Sequence, residues 1–235
     1  MKTPNNTRQY TVALCGNPNS GKTTIFNGLA GTHQKTGNWP GVTVERKEGS
    51  FWIGNKLIRL IDLPGAYSFS YSSVDEQVAI DFLVYQKPDV AVVVVDSSNL
   101  SRSLYLVVQL LELRVPVLLD LNMIDIARNV GIHINKNELE AVLGIATVET
   151  VGHKKIGIPE LKQKIIDMVE STQSIDFHIN YQREIEEAVN VIVPKVSPHF
   201  PDFPPRWLTL QLLEGNASFL TKIKDKQVLR LIEQY

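Results

Sequence analysis

The chain has 235 residues, a formal net charge of −1 and 43% hydrophobic residues, which fits one globular domain with a smaller appendage. Because proteins that bind nucleic acid usually carry a surplus of basic residues, the near-neutral balance argues against a nucleic-acid partner. Cys15 is the single cysteine, which excludes an internal disulfide. No apolar run approaches the ~20 residues needed to cross a bilayer, and no signal peptide is recognisable, so we expect a cytosolic chain.

From Gln9 to about Glu170, short apolar runs rich in β-branched residues alternate with segments of helical period. This alternation predicts an α/β sheet with helices on both faces. The second run alternates apolar with charged residues and is joined to the third by Gly54 and Asn55, so we expect an antiparallel edge hairpin there. The six predicted strands are Tyr10–Cys15, Thr43–Ile53, Lys56–Asp62, Asp89–Asp96, Val115–Asn122 and Ile145–Thr150.

Helices are predicted between these strands, and Ser73 and Ser101 are suitable N-terminal caps. After Ser171 the pattern changes to helical segments separated by a proline-rich linker, residues 198–205. We therefore predict an α/β domain over residues 1–171 and a small all-helical subdomain over residues 172–235. The predicted helices of the first domain are Lys22–Ala30, Val74–Tyr85, Ser101–Leu113, Asn135–Leu143 and Ile158–Val169.

The stretch GNPNSGKT, which we call the phosphate loop (residues 16–23), matches the pattern G-x-x-x-x-G-K-[ST] between a predicted strand and a predicted helix. Glycines let backbone N–H groups point at phosphates, Lys22 can reach the β- and γ-phosphates, and the Thr23 hydroxyl can bind Mg²⁺. The plain alternative is a glycine-rich turn before a helix. The residues predicted to bind nucleotide here are Gly16, Asn17, Asn19, Ser20, Gly21, Lys22, Thr23 and Thr24.

Two further segments suit the γ-phosphate and its metal ion. The third predicted strand ends in DLPG, where Asp62 can hold Mg²⁺ through water and the Gly65 N–H can contact the γ-phosphate. In GNWPGVTVE, the switch segment (residues 37–45), Thr43 can give Mg²⁺ a second hydroxyl. The glycines and the proline of this segment suit a part of the chain that orders with the γ-phosphate and relaxes after hydrolysis. For the Trp39 side chain, plain hydrophobic packing is an equal alternative.

The tetrapeptide NMID follows the fifth predicted strand and points to the base. The Asp125 carboxylate can accept hydrogen bonds from the N1–H and the exocyclic amine of guanine, whereas adenine offers no such pair of donors. Guanine is therefore the predicted base, with Asn122, Met123 and Asp125 in its site. The alternative for this tetrapeptide alone is an ordinary Asn/Asp helix start.

In this order the motifs indicate a GTPase with a Ras-like P-loop G domain. The stretches GNPNSGKTTIFN, GNWPGVTVERKEG, DLPGAYSFS, LNMIDIA and RWLTLQLLEG resemble the cytosolic N-terminal region of the bacterial ferrous iron transport protein B family, FeoB, over nearly the whole chain. The resemblance implies a six-stranded, mostly parallel sheet in the G domain (residues 1–171), followed by a small all-helical subdomain (residues 172–235).

In that family a polytopic membrane region that moves Fe²⁺ inward follows the two cytosolic domains. The resemblance therefore implies a place on the cytoplasmic side of the bacterial inner membrane. The implied partners are a guanine nucleotide, the membrane region of the same protein, small accessory proteins of the iron transport system and a second copy of the chain.

Ala66 stands directly after DLPG, where Ras-like proteins often carry a glutamine that orients the attacking water, and a methyl group cannot do this. Resemblance to FeoB and other K⁺-activated GTPases implies that Asn19 helps hold K⁺ beside the phosphates, with the backbone carbonyls of Gly37 and Trp39 completing the site. Such a cation would neutralise charge in place of an arginine finger. The alternative for Asn19 is a hydrogen bond that shapes the loop. The predicted catalytic residues are Asn19, Lys22, Thr43 and Gly65, the predicted Mg²⁺ ligands are Thr23, Thr43 and Asp62, and Glu76 and Tyr67 are further candidates for contacts with the water.

One departure from the family pattern concerns the base. By spacing from Gly157, the pair Val151 and Gly152 stands where the family usually has Ser-Ala or Thr-Ala against the guanine. The Gly152 N–H could still reach the base oxygen, but the usual hydroxyl is missing, so we expect weak nucleotide affinity and fast GDP release.

Two other functions remain open at this point. A soluble K⁺-activated GTPase of ribosome assembly or tRNA modification shares the loop asparagine and the missing glutamine, although the neutral charge and the lack of an RNA-binding appendage count against it. A nucleotide-sensing clamp would bind GTP with hardly any turnover. A P-loop kinase would leave Asp125 and Thr43 unexplained.

Overall fold

The computed structural model describes residues 8–171, 177 and 179–235. Within these residues the strands form one seven-stranded sheet in the order β2-β3-β4-β1-β5-β6-β7. Strand β1 pairs in parallel with β4 and β5, and β6 pairs in parallel with β5 and β7, whereas β2, β3 and β4 are antiparallel neighbours. The strands are β1 (Arg8–Gly16), β2 (Gln34–Asn38), β3 (Glu45–Ile53), β4 (Lys56–Asp62), β5 (Val90–Asp96), β6 (Val117–Asn122) and β7 (Thr147–Glu149).

The central strands are uninterrupted apolar runs because helices cover both faces of a parallel sheet. In β5, every residue from Val90 to Val95 is buried. One face packs against α1 (Lys22–Ala30) and α6 (Ile158–Glu170), while the other packs against α2 (Val74–Asp81) and α3 (Leu100–Glu112). This arrangement confirms the predicted α/β architecture and brings the carboxyl ends of β1, β4, β5 and β6 to one edge.

The sheet has one strand more than the six that were predicted. Strand β2 was missed because its sequence, QKTGN, is exposed throughout and carries no alternation of apolar side chains. It pairs with β3 so that Asn38 lies opposite Glu45, and the switch segment therefore closes a hairpin. The predicted antiparallel hairpin between β3 and β4 is confirmed, and its turn residue Gly54 has a φ of +58°. Its predicted position at the edge of the sheet is wrong, because β2 pairs with the outer side of β3.

The helices differ from the predictions in several places. The helix predicted from Val74 to Tyr85 ends as α2 at Asp81 and continues as a π-helical turn, Phe82–Gln86. Ser101 lies inside α3, which begins at Leu100, and is therefore not its cap. Helix α4 was not predicted because Met123, at a φ of +58°, turns the chain abruptly out of β6. The two short helices between β6 and β7 in the chain are α4 (Ile124–Asn129) and α5 (Lys136–Leu143).

The remaining helices are α7 (Arg183–Val196), α8 (Pro205–Leu213), α9 (Ala217–Leu220) and α10 (Lys226–Glu233). Their core is a cluster of aromatic rings. The ring centroid of Phe219 lies 5.3 Å from that of Phe203 and 5.7 Å from that of Trp207. These rings share one continuous apolar core with the face of the sheet that carries α2 and α3. The predicted boundary between residues 171 and 172 touches residues 172–176, which lie outside the described residues, and it stays a prediction. No helix in the described part of the chain has the length and apolar character required to cross a membrane.

Candidate nucleotide site

The phosphate loop joins the end of β1 to the start of α1. Gly21 caps α1 in the left-handed region at a φ of +84°, and the Ser20 N–H donates to the Asn17 carbonyl at 3.2 Å. A Cβ at Gly16 would overlap the Val94 carbonyl oxygen, and one at Gly21 would overlap the side-chain amide of Asn122. Only glycine fits at both positions, and the loop leads into the N-terminus of α1, where free N–H groups favour anions.

Four of the predicted site residues surround one cavity of about 440 Å³, namely Lys22, Thr43, Asp62 and Gly65. At its wall the Lys22 ammonium forms an ion pair with the Asp62 carboxylate, and both side chains are nearly buried. The structure thus brings together the residue predicted for the phosphates and those predicted for Mg²⁺ and the γ-phosphate. Thr23 and Thr24, on the first turn of α1, are exposed.

DLPG is held against the phosphate loop by backbone hydrogen bonds. The Leu63 N–H donates to the Leu14 carbonyl at 3.0 Å, and the Ala66 N–H donates to the Gly16 carbonyl at 3.3 Å. Gly65 lies beside Pro18, since a Cβ there would meet Pro18 atoms at 3.4 Å. The end of β4 and the loop after β1 therefore form one connected wall.

In the switch segment, the Trp39 side chain packs in the hydrophobic core. Its indole meets Phe82 edge-on with ring centroids 5.5 Å apart, and the Arg46 guanidinium lies 4.6 Å from its centroid on the ring face. The packing alternative is therefore the one observed for this side chain. The Trp39 carbonyl accepts the Val42 N–H at 3.3 Å, and Gly37 lies in β2 opposite Arg46.

Asn19 is exposed and adopts a φ of +68°. Asparagine tolerates this left-handed conformation better than most residues with a side chain. Asn19 therefore shapes the loop through its backbone conformation, whereas the alternative named for it, a hydrogen bond that shapes the loop, is not seen for its side chain among the described residues.

The chain after DLPG is organised by Glu76. Its carboxylate accepts hydrogen bonds from the Ser70 and Ser72 hydroxyls at 2.9 and 2.8 Å, and it also closes a capping box with Ser73 at the start of α2. Burial alone would raise the pKa of Glu76, but the hydrogen bonds from Ser72 and Ser70 outweigh it and hold that pKa below its ordinary value. Glu76 thus shapes the serine segment (residues 68–73), a role that sequence reasoning missed although four serines signalled it.

Tyr67, the other candidate for the water network, lies on the surface. The Arg102 guanidinium stacks over its ring at 4.2 Å from the centroid, and 44% of Tyr67 is exposed. Its observed partner is therefore a cation on α3.

The serine segment is also fastened to the helical subdomain. The Asn216 side-chain amide donates to the Ser70 carbonyl, and the Ser218 hydroxyl donates to the Tyr71 carbonyl at 3.1 Å. The Tyr71 ring packs against Phe219 with centroids 5.0 Å apart. These contacts connect the serine segment, which follows DLPG in the chain, to α9.

On the side predicted for the base, Asn122 is a buried junction between three segments. Its Nδ2 donates to the Ser20 carbonyl at 2.9 Å, and its Oδ1 accepts the Gly152 N–H at 3.0 Å and lies 3.2 Å from the Thr150 hydroxyl. In this structure the Gly152 N–H is bonded to Asn122, so its expected contact with a base oxygen requires this hydrogen bond to be exchanged and stays a prediction. Thr150, which sequence reasoning missed, supplies a hydroxyl one residue before the predicted pair.

Asp125 stands at the start of α4 with its carboxylate in reach of solvent. Lys154 donates to it at 2.9 Å and the Ile126 N–H at 3.0 Å. The hydrogen bond from Lys154 is the main reason that the pKa of Asp125 lies below its ordinary value. Lys154 was missed, although the basic run after Gly152 marks the position. Val151 is buried and pairs with Ile156 in an isolated bridge.

Two further titratable groups are fully buried beneath the site. Burial raises the pKa of the Asp120 carboxyl to about 7, and the Thr150 hydroxyl lies 2.7 Å from its Oδ1. Burial also raises the pKa of the Cys15 thiol to about 12, so this thiol is chemically inert at neutral pH. An aspartate inside the apolar run VPVLLDLN was the signal that could have pointed to Asp120.

Known proteins resemble this chain over both of its parts. The family described as ferrous iron transport protein B matches residues 10–165, and the FeoB cytosolic helical domain matches residues 181–235. The Fe(2+) transporter FeoB of Escherichia coli (strain K12) is 41% identical over 213 residues, which cover 89% of this chain but 27% of that protein. The chain thus spans about a quarter of the length of this curated relative.

Solved structures extend the likeness to the whole fold. The cytosolic domain of T. maritima FeoB in GDP form II has a TM-score of 0.87 and 38% identity, covering 95% of this chain and 87% of that one. The same domain in GMPPNP form has a TM-score of 0.85 and 37% identity, covering 95% of this chain and 92% of that one. With matches to both parts of the chain, in sequence and in fold, this protein belongs to the ferrous iron transport protein B family.

Proposed function

We propose that this chain binds and hydrolyses GTP as the cytosolic part of a ferrous iron transporter, and that this reaction regulates or powers Fe²⁺ uptake. The single observation that carries the proposal is the cavity shared by Lys22, Thr43, Asp62 and Gly65. Further support comes from the relatives, which are named Fe(2+) transporters, and from T. maritima FeoB, whose cytosolic domain was solved in GDP and GMPPNP forms.

The phosphate side of the proposed site contains hard oxygen donors, which suit Mg²⁺. Hydroxyls of Thr23 and Thr43 and the carboxylate of Asp62 would hold this ion, which supplies charge neutralisation at the β- and γ-phosphates. Lys22 would turn from Asp62 to the phosphates, so that each partner of the present ion pair gains an opposite charge. The Gly65 N–H would contact the γ-phosphate.

The base side would recognise guanine through Asp125. The low pKa of its carboxyl group keeps it ionised at neutral pH, so it can accept both the N1–H and the exocyclic amine of the base. Lys154 would hold this carboxylate in place, and Asn122 with Met123 would tie it to the phosphate loop. Because Val151 offers no hydroxyl to the base, we propose fast release of GDP.

For hydrolysis, Ala66 leaves no side chain to orient water, and charge stabilisation must come from elsewhere. We assign this role to a K⁺ ion held by Asn19 with the carbonyls of Gly37 and Trp39. The Trp39 carbonyl keeps a second lone pair beside its bond to Val42, which leaves it able to bind a cation.

Two routes would carry a change in the switch segment to the helical subdomain. Trp39 contacts Phe82 at the start of the π-helical turn, and Tyr85 at its other end meets Phe203 at 6.0 Å. Tyr71 meets Phe219 on the second route. In the full-length protein we propose that these routes end at a membrane region, with the chain on the cytoplasmic side of the bacterial inner membrane and residues 1–171 and 172–235 as its two domains. Small accessory proteins of iron transport and a second copy of the chain remain proposed partners.

Single-turnover hydrolysis of bound GTP tests the proposal. Lys22→Ala should abolish nucleotide binding, and Asp62→Ala should weaken the Mg²⁺ dependence of GTP binding more than that of GDP. The matched control is Lys47→Ala, because Lys47 lines the same cavity but pairs with Glu45. Binding without turnover would support the clamp, and unchanged hydrolysis in Lys22→Ala would overturn the assignment of the site. The ribosomal alternative is not favoured by family membership.

Fe²⁺ uptake by the full-length protein with Lys22→Ala in proteoliposomes tests the coupling of GTP hydrolysis to transport, which requires uptake to fall.

A further inference from the structure

Three oxygen atoms stand in a row beneath the base side of the site. Asp120 Oδ1 lies 2.7 Å from Thr150 Oγ1, which in turn lies 3.2 Å from Asn122 Oδ1. The orientation of the Asn122 amide follows from its other partners, since the Gly152 N–H can only donate and the Ser20 carbonyl can only accept. Both neighbours of the Thr150 hydroxyl are therefore oxygens.

The number of protons decides whether this row is stable. A threonine hydroxyl carries one proton and can donate to one of its two neighbours. If Asp120 is ionised, one of the two close oxygen pairs has no proton between its atoms. If Asp120 is protonated, it donates to Thr150 and the Thr150 hydroxyl donates to Asn122, so that both contacts are hydrogen bonds.

The surroundings of Asp120 favour the protonated form. The residue is fully buried, and its Oδ2 has no hydrogen-bond partner among the described residues. In the sheet it lies between Val94 of β5 and Val148 of β7, on the face that α1 and α6 cover with apolar side chains. An ionised carboxylate with one hydrogen-bond donor and no cation beside it would have a high free energy in this apolar environment, which agrees with the raised pKa of Asp120.

We propose that Asp120 is a positioning residue of the nucleotide site that acts as a neutral acid: its proton orders the chain Asp120–Thr150–Asn122, and loss of that proton to solvent speeds release of the guanine nucleotide. Asn122 joins the phosphate loop to Gly152. Loss of the hydrogen bond from Thr150 to Asn122 Oδ1 therefore makes both the phosphate loop and the Gly152 loop less firmly positioned. The inference rests on the proposed guanine-nucleotide site and adds its regulation by pH. Release should be slow below about pH 7 and fast above it.

Several charged groups on the neighbouring elements have partners of their own. Lys22 of α1 pairs with Asp62, Glu149 of β7 pairs with Arg128, and Asp96 of β5 accepts the Ser98 N–H. On α6, the charged side chains are Glu160, Lys162, Lys164, Asp167 and Glu170. In the loop before α6 and at the start of α4 they are His153, Lys154, Lys155 and Asp125. His153 is the one histidine among these groups, and it therefore needs its own control.

Stopped-flow release of a fluorescent GDP analogue between pH 5.5 and 8.5 tests the proposal. The parent should release about fivefold faster at the alkaline end, the effect of one neutral hydrogen bond. Asp120→Asn, whose amide donates to Thr150 at every pH, should release slowly throughout. Thr150→Val, of similar shape but without the hydroxyl, should release fast throughout. His153→Gln should keep the parental profile.

Two results would overturn the inference while leaving the site intact: an unchanged pH profile in Asp120→Asn, or a profile that disappears in His153→Gln. The protonation is also measured without nucleotide, by following the Asp120 carboxyl carbon in a ¹³C NMR titration. Titration near 7 supports the neutral acid, and titration below about 5 overturns it. If the carboxyl titrates near 7 but the parent binds no GDP at pH 6, the proposed function fails instead, and the link to release fails with it.

Discussion

Removing the Asn122 side chain should weaken both the fold and the binding of nucleotide. Asn122→Ala leaves the Ser20 carbonyl and the Gly152 N–H without their partner, in a region where Asn122 itself is 2% exposed. Each buried backbone group left unsatisfied costs roughly 1–3 kcal/mol. The Thr150 hydroxyl keeps Asp120 as a partner and adds little. The free energy of unfolding should therefore fall by roughly 2–6 kcal/mol, towards the lower value if water enters the space.

Urea unfolding followed by tryptophan fluorescence, with and without GDP, measures both effects. For the parent, GDP at a hundred times its Kd should add about 2.7 kcal/mol to the free energy of unfolding. The same GDP concentration should stabilise Asn122→Ala far less, because the phosphate loop and the Gly152 loop are no longer joined. Asn129→Ala is the matched control, since Asn129 is exposed at the end of α4, and it should stay within about 0.5 kcal/mol of the parent. An Asn122→Ala variant within 1 kcal/mol of the parent, or equally stabilised by GDP, would refute the reasoning.

Four further outcomes are expected. Hydrolysis should be faster in K⁺ than in Na⁺, and Asn19→Ala should remove the difference; equal rates for the parent in both salts would exclude the K⁺ site. Asp125→Asn should shift preference from GTP towards xanthosine triphosphate in competition binding, and unchanged GTP affinity would remove Asp125 from the base site. Because the folded pKa of Asp120 is raised from 3.8 to about 7, the stability that its proton contributes is fully present below pH 3.8 and is lost between there and pH 7; the loss is roughly 4 kcal/mol in all and roughly 3 kcal/mol between pH 5 and 7, Asp120→Asn should remove it, and parallel stability profiles of parent and variant between pH 5 and 8 would contradict this. Phe219→Ala should lower the free energy of unfolding by roughly 3–5 kcal/mol because the ring is fully buried among aromatic neighbours, and a loss below 1.5 kcal/mol would show that the cluster collapses around the gap.

The sheet and the order of the motifs were predictable because both depend on short local patterns in the sequence. Buried parallel strands such as β5 require unbroken apolar runs, and a phosphate loop requires glycines where no Cβ fits, as at Gly16 and Gly21. Strand β2 was not predictable in the same way, because an exposed edge strand has no apolar face to reveal it. It is recognisable as a strand only through its pairing with β3, the next strand in the chain.

The partners of the site residues could not be predicted from spacing alone. Lys154 meets Asp125, and Thr150 meets Asp120, only because β6 and β7 lie side by side with their carboxyl ends together. Glu76 was predicted to contact the water network, but its carboxylate instead accepts hydrogen bonds from the nearby serines Ser70 and Ser72. Long-range pairing of polar side chains thus needed the three-dimensional structure.

The hydrogen bond from the Asn216 side chain to the Ser70 carbonyl couples the serine segment to the helical subdomain. The same Asn216 side chain accepts the Ser218 N–H as the cap of α9 and donates to the Gln211 side chain in α8. Helix α9 has four residues, too few to hold together without its cap and its tertiary contacts. A displacement of Ser70 would therefore disturb the one side chain that both caps α9 and bonds Gln211 of α8.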